Sequence, residues 1–252
     1  MTEESKPTGQ PATETRKGAI QSGADVRAMF DRIVPRYDLM NRIMTGGRDE
    51  AWRKRVAKLA MGSAADGKPR VLDMATGTGD LAFALAKAGA SEVVGVDFSG
   101  EMIEAAKVKA GNRPGNVRFL VGDVMDPSVE EASFDACTVS FGLRNMPDYD
   151  AAIASMTRML KPGGLFVCLE MTPFHRPFLG PLFQFYFQRV MPLVGGLLSG
   201  SLSSYKYLPQ SVEAFPPAHD LAERMRALGL DDVRFTLLGF GTVAIHSGKR
   251  AE

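Results

Sequence analysis

The chain has 252 residues, 45% of them hydrophobic and 23% charged, with a net charge of +1. That length suits one α/β domain with a full core, or such a domain with a cap. The near-neutral balance lacks the basic footprint of a nucleic-acid binder, so no nucleic acid is expected as a partner.

Residues 1–22 are rich in Thr, Glu, Lys, Gly, Ser and Pro and poor in large apolar side chains, which predicts a disordered tail. They contain no apolar run of the kind a secretory signal requires. Residues 23–252 are read as one domain, opening with a helical cap over 23–62. Val26, Met29, Phe30 and Ile33 recur at helical spacing; a second amphipathic piece covers 37–44; Gly46-Gly47 breaks it, and a third covers 49–61 around Trp52 and Val56.

The rhythm then changes. A short apolar strand at 70–75 ends at glycines, and a helix over 80–87 is stopped by Gly89. A strand at 92–97 leads to Ser99, a good N-cap, with Glu101 in the first turn of a helix reaching residue 110. Strands at 116–121, 134–140 and 165–170 follow, the last two separated by a helix over 150–160 that Lys161-Pro162-Gly163-Gly164 closes. Alternating strands and helices predict an α/β fold with a Rossmann-like, doubly wound, mostly parallel sheet. Cys137 and Cys168 fall in its central strands and are read as buried apolar residues, with no metal expected. A lid-like insertion spans 173–217. Its segment 178–198 is long enough to cross a bilayer, but Gln184, Gln188, Arg189, Pro181 and Pro192 argue against spanning. A helix at 218–228 precedes two strands, 232–238 and 242–246, which Gly239-Phe240-Gly241 joins as an antiparallel hairpin.

Gly77, Gly79 and Ala82 form G-x-G-x-x-A between the first strand and its helix, and Asp97 ends the next strand twenty positions after Gly77. This is the fingerprint of a nucleotide crevice: glycines let a ligand approach the backbone and the carboxylate takes two ribose hydroxyls. Asp73 and Asp80 flank the loop with no Lys or Arg between them. Two carboxylates repel a pyrophosphate and favour an ammonium, so charge favours S-adenosylmethionine over a dinucleotide, although helix N-termini also attract phosphate. Asp123 and Val124 end the third strand, where a carboxylate can accept from an adenine amino group and an apolar side chain can pack on the ring.

Six stretches are familiar: MFDRIVPRYDLMN (29–41), VLDMATGTGDLA (71–82), VSFGLRNMPD (139–148), RMLKPGGLFVCLEMT (158–172), YLPQSVEAFP (207–216) and VAIHSGK (243–249). Together they resemble the class I S-adenosylmethionine-dependent methyltransferases, and more narrowly the family that methylates the quinol ring in menaquinone and ubiquinone biosynthesis. The resemblance implies methyl transfer from S-adenosyl-L-methionine to a ring carbon of a reduced polyprenyl quinone precursor such as demethylmenaquinol. It leaves two alternatives: another small-molecule acceptor on the same fold, or a cofactor-bound, non-catalytic partner in a quinone-synthesis complex. The expected cofactor residues are Asp73, Thr76, Gly77, Thr78, Gly79, Asp97, Phe98, Asp123, Val124 and Ser140. Thr45 and Asp49 stand where the family often has Ser and His, and Glu170-Met171-Thr172 where it has Glu-Phe-Ser.

For the chemistry, Arg144, Asn145 and Tyr37 are the expected catalytic residues. A hydroquinone becomes nucleophilic at ring carbon when a hydroxyl ionises, and a free phenol has a pKa near ~10. Arg144 is a poor base but can hold a phenolate or polarise a water; its bland alternative is an ion pair. Tyr37 can donate to a ring oxygen or simply pack in the core. Asp38 is read as a helix cap, and His175, His219 and His246 as non-chemical. The apolar 178–198 segment suits either a core helix or a lid over an isoprenoid tail. A cytoplasmic enzyme, peripheral to the inner face of the membrane and forming a homodimer, is the expectation for such an acceptor.

Overall fold

The structure, a computed structural model, describes Asp31, Val34 and residues 37–111, 115–174 and 209–252. The predicted tail, the helical pattern through Val26, Met29, Phe30 and Ile33, and residues 175–208 of the 173–217 insertion, His175 among them, lie outside the described residues.

In chain order the described elements are α1 (Tyr37–Thr45), α2 (Asp49–Met61), β1 (Arg70–Met74), α3 (Asp80–Ala88), β2 (Glu92–Asp97), α4 (Gly100–Ala110), β3 (Val117–Val121), β4 (Phe134–Ser140), α5 (Tyr149–Met159), β5 (Leu160–Met171), α6 (Ala218–Ala227), β6 (Leu230–Leu238) and β7 (Val243–Arg250). The seven strands form one sheet in the order β3-β2-β1-β4-β5-β7-β6. β1 to β5 pair in parallel, and β7 lies antiparallel between β5 and β6. This is the doubly wound sheet with a terminal antiparallel hairpin that the sequence rhythm predicts. Successive strands run β1, β2, β3 in one direction and resume with β4 on the other side of β1, so strand order reverses between β1 and β4, where such sheets open a crevice.

Strand alternation distributes the core to both faces. Val71, Val93, Ala136 and Val167 pack with α2 and α3 residues such as Val56 and Leu85. Their neighbours Leu72, Val94, Cys137 and Phe166 pack on the opposite face with Ile153 of α5 and Leu221 of α6. Strands covered on both faces must be apolar at nearly every position, which is why these runs read as continuous rather than alternating. Cys137 and Cys168 are free and buried, and burial holds both thiols well above their usual range. His246 is also buried; its Nε2 lies 2.8 Å from the Ala218 carbonyl, and burial lowers its pKa.

Helix ends follow local chemistry. The Ser99 hydroxyl accepts from the Met102 N–H at the start of α4, and the Asp148 carboxylate accepts from the Ala151 N–H at the start of α5. Asp38 departs from its expected role: it lies inside the first turn of α1 and bonds to side chains of other elements. The fifth strand also differs from expectation. It starts at Leu160 rather than after the glycines; its register against β4 slips between Phe134 and Ala136, and Gly163 takes a φ of 73° in the irregular stretch. Lys161, inside that stretch, reaches Asp135 of β4 at 2.6 Å. The final hairpin strands run longer than the apolar pattern marks them.

Candidate active site

The glycine loop after β1 and the expected residues at the ends of β2, β3 and β4 lie at the carboxyl edge of the sheet. Gly77 and Gly79 of the loop after β1 have φ of 56° and 85°, values that L side chains adopt at a cost. At Gly79 a Cβ would also lie 2.7 Å from the Phe119 ring. The Asp97 carboxylate, at the end of β2, accepts from the Gly77 N–H at 2.8 Å and from the Ser99 N–H at 3.0 Å. The acid that the fingerprint assigns to a ribose thus also fixes the glycine loop. Burial raises the Asp97 pKa, and these N–H donors oppose that rise. On the other side of the loop, Gly142 packs so closely that its Cβ would stand 2.6 Å from the Ala75 Cβ. Ala75 and Phe141, the first residues after β1 and β4, both have positive φ (50° and 57°), strain that marks a constrained site.

A cavity of about 610 Å³ opens along this edge. Gly77, Asp97, Phe98, Asp123, Val124, Tyr37 and Asn145 line it, together with Met102, Met146 and Phe141, which the sequence reading did not single out. Asp73, Thr76, Thr78 and Ser140 line a smaller cleft of about 20 Å³ behind the glycine loop; Tyr37 and Ala75 border both spaces. Gly79 borders neither and serves the turn. Arg144 lines a third cavity of about 250 Å³, which meets the large one at Phe141 and is otherwise walled by residues including Asn41, Thr45, Trp52, Met171 and Phe240.

The charges around the loop correct one expectation. Asp80 is not a bare carboxylate facing a ligand. Lys109 of α4 bonds it, and Arg53 of α2 lies 3.1 Å from its other oxygen. Lys109 also donates to Asp38 at 2.7 Å, and Asp38 accepts from the Thr78 hydroxyl at 2.6 Å. Cations distant in sequence therefore supply the partners that the loop itself lacks. Asp73 keeps its place in the argument: it is buried, accepts from the hydroxyls of Thr76 (2.6 Å) and Thr138 (2.7 Å), and is pushed by burial up to about 6.

Arg144 sits in a buried ion pair. Its Nη1 is 2.6 Å from Glu170 Oε1 and 2.8 Å from the Phe141 carbonyl, and its backbone N–H donates to Glu170 Oε2 at 3.2 Å. The Met171 N–H adds a further bond to Glu170. The bland alternative for Arg144 is thus present, with a strand carboxylate as the partner, while Nε remains buried without a partner among the described residues. Glu170 was visible in sequence only as part of a motif. Asn145 donates weakly to the Phe141 carbonyl (3.3 Å), and its Oδ1 and the Ser140 hydroxyl are buried without partners among the described residues. Burial raises the Tyr37 phenol, opposed by a hydrogen bond with Asn41 and by the Arg144 and Arg53 charges, so it is a donor at neutral pH.

These residues fit S-adenosylmethionine. From β3 to β4 the edge presents Asp123 with Val124, then Asp97, the glycine loop with Asp73, and the unpartnered hydroxyl of Ser140. That order matches base, ribose and amino-acid end laid across the strands, and the carboxylates suit a cation. Among the described residues no Lys or Arg lines the large cavity for a pyrophosphate.

Fold and site together define a class I S-adenosylmethionine-dependent methyltransferase scaffold. A solved methyltransferase of Thermotoga maritima, described as a possible histamine N-methyltransferase, superposes with a TM-score of 0.61 at 18% identity, covering 88% of this chain and 98% of that one. The [4+2]-cyclase SpnF superposes with a TM-score of 0.67 at 18% identity, covering 94% and 99%. The scaffold alone therefore does not fix the reaction. The chain belongs to the ubiE/COQ5 methyltransferase family, whose model matches residues 17–250. A demethylmenaquinone methyltransferase of Thermus thermophilus is 47% identical over 223 residues, 88% of this chain and 100% of that protein. One from Deinococcus radiodurans is 44% identical, covering 90% and 93%. A ubiquinone/menaquinone biosynthesis C-methyltransferase of Geotalea daltonii is 38% identical, covering 91% and 98%.

Proposed function

We propose that this chain transfers a methyl group from S-adenosyl-L-methionine to a ring carbon of a reduced polyprenyl quinone precursor, converting demethylmenaquinol to menaquinol. The observation that carries the reading is the 47% and 44% identity to demethylmenaquinone methyltransferases over nearly the whole of those proteins. S-adenosylmethionine supplies, when bound, an electrophilic methyl group on a sulfonium.

The chain's own residues do the rest. Asp97 holds the ribose, Asp123 accepts from the adenine amino group, and Val124 and Phe98 pack on the base. Asp73 and Ser140 receive the ammonium end. The acceptor ring lies where the large cavity meets the Arg144 cavity at Phe141. There Tyr37 and Asn145 can bond its oxygens, and the Arg144 Nε–H, unpartnered among the described residues, can donate to a ring oxygen as it ionises. A guanidinium donates hydrogen bonds only and takes no proton from the ring. Alignment and exclusion of water carry most of the acceleration in such a transfer. Phe240, 78% exposed at the mouth of the Arg144 cavity with the Arg48 guanidinium 5.6 Å from its ring centroid, offers an isoprenoid tail an apolar path outward. Among the described residues no helix is long and apolar enough to cross a membrane. The polyprenyl tail of such an acceptor is the reason for proposing that it is met at a bilayer surface.

The test is turnover. Purified protein with methyl-labelled S-adenosylmethionine and reduced demethylmenaquinone should place label on the ring carbon. A reduced benzoquinone precursor run beside it reads ring preference. No label on either ring would overturn the reading.

A further inference from the structure

We infer that Arg53, on the cap helix α2, binds the carboxylate of the methionyl end of S-adenosylmethionine. The inference rests on the cofactor reading above and extends it to a residue outside the glycine-loop motif and the acidic positions.

The strand order dictates where the methionyl end must go. With the base at β3 and the ribose at β2, the tail passes the glycine loop toward the gap between β1 and β4. The small cleft there is bordered by Asp73, Ser140, Tyr37 and Arg53. Its volume of about 20 Å³ holds only one small polar group, since a single water needs roughly 10–15 Å³ on the same measure, so the amino-acid end would straddle this cleft and the large cavity it meets at Tyr37 and Ala75. An amino-acid terminus needs an acceptor for its ammonium and a donor set for its carboxylate. Asp73 and Asp80 both line this cleft; Asp80 is paired with Arg53 and Lys109, so Asp73, held only by hydroxyls, is left for the first task. Arg53 is the one cation lining it among the described residues.

Arg53 is held ready for the second task. It is only 7% exposed, and Nη1 alone carries its two ion pairs, to Asp49 Oδ2 at 2.6 Å and Asp80 Oδ2 at 3.1 Å. Nε and Nη2 make no hydrogen bond among the described residues. A guanidinium grips a carboxylate through two parallel N–H groups, and gripping it at one nitrogen fixes its plane. The Thr45 hydroxyl bonds Asp49 at 3.0 Å, and Lys109 engages Asp80, so both carboxylates that grip Arg53 are themselves anchored. Asp49 is thereby a positioning residue.

A clamp that only ties α2 to α3 through Asp49 and Asp80 would stabilise the fold and ignore the ligand's carboxylate. Three ligands separate the two roles: S-adenosylhomocysteine, its decarboxylated analogue, which keeps the ammonium, and 5′-methylthioadenosine, which lacks the amino acid. Their affinities are read by calorimetry on the full chain, with a thermal melt for each variant. Wild type should prefer S-adenosylhomocysteine to the decarboxylated analogue. Arg53→Met should weaken S-adenosylhomocysteine by roughly 10- to 100-fold, the loss of a charge-assisted hydrogen-bond pair, and change the other two ligands less than about twofold. Arg53→Lys should recover part of the loss. Equal weakening of all three ligands, or of none, overturns the inference. If Arg53→Met does not fold, absence of the wild-type preference for the carboxylate-bearing ligand overturns it. Wild type that binds no adenosyl ligand would instead defeat the cofactor reading itself.

Discussion

The two halves of the carboxyl edge are built differently. On the β1–β2–β3 side, Asp97 is held by backbone N–H groups of Gly77 and Ser99, and Asp73 by the hydroxyls of Thr76 and Thr138. None of these donors carries a full charge, so each acid keeps its negative charge unspent for a cationic ligand. On the β4–β5 side, Glu170 is neutralised by Arg144 at 2.6 Å, and the pair is nearly sealed from solvent. One half keeps charge available; the other has committed its charges to each other. The first is a binding surface. The second is a rigid wall with one unspent group, the Arg144 Nε.

Breaking the committed half should cost the most. Glu170→Ala leaves the Arg144 guanidinium buried without its anion and removes the acceptor for two backbone N–H groups. Loss of one partner of a buried pair costs about 3–5 kcal/mol, readable by urea unfolding of the ligand-free protein. Glu170→Gln keeps the acceptor oxygen and should lose less. A change under ~1 kcal/mol for Glu170→Ala would mean the wall is not electrostatically committed. On the open half, Asp97→Asn keeps an acceptor for one N–H and the side-chain shape but removes the charge. It should leave the fold nearly intact and weaken S-adenosylhomocysteine by about 1.5–3 kcal/mol, measured by calorimetry. Should the fold suffer more than the affinity, Asp97 belongs to the loop's architecture and the contrast between the halves fails.

The same contrast governs how much could be read from sequence. The open half is local: glycines at fixed spacing, an acid twenty positions on, and strand–loop–helix context, each needed because backbone must approach a ligand. The fold was legible for a related reason, since buried parallel strands and capped helices write themselves as apolar runs and turn residues. The partners of the committed half lie 26 residues apart, on β5 and the turn after β4, and no period marks them. Arg53 and Lys109 were likewise hidden, because their link to Asp80 exists only once α2, α3 and α4 pack. Reading Asp80 as a bare charge failed for that reason. The Lys161–Gly164 stretch reads as a helix stop, and it is one, but its continuation into β5 depends on pairing with β4.

The finest test of the contrast is Asp73, whose charge is unspent but not free. Burial raises its pKa to about 6, above the usual carboxylate value of 3.8. Between those values the folded, ligand-free protein holds a proton that the unfolded chain has released. This group's contribution to stability is therefore greatest at low pH and declines as pH rises toward 6. Ligand binding should respond with the opposite sign. An ammonium beside Asp73 needs the ionised form, which is present above about pH 7 and scarce at pH 5. Affinity for S-adenosylhomocysteine should then fall about tenfold per pH unit below 6, while 5′-methylthioadenosine, with no ammonium, should show a much flatter profile. Asp73→Asn should flatten the S-adenosylhomocysteine profile as well. Parallel pH profiles for the two ligands in wild type would place the ammonium away from Asp73 and leave its carboxyl a part of the wall rather than of the binding surface.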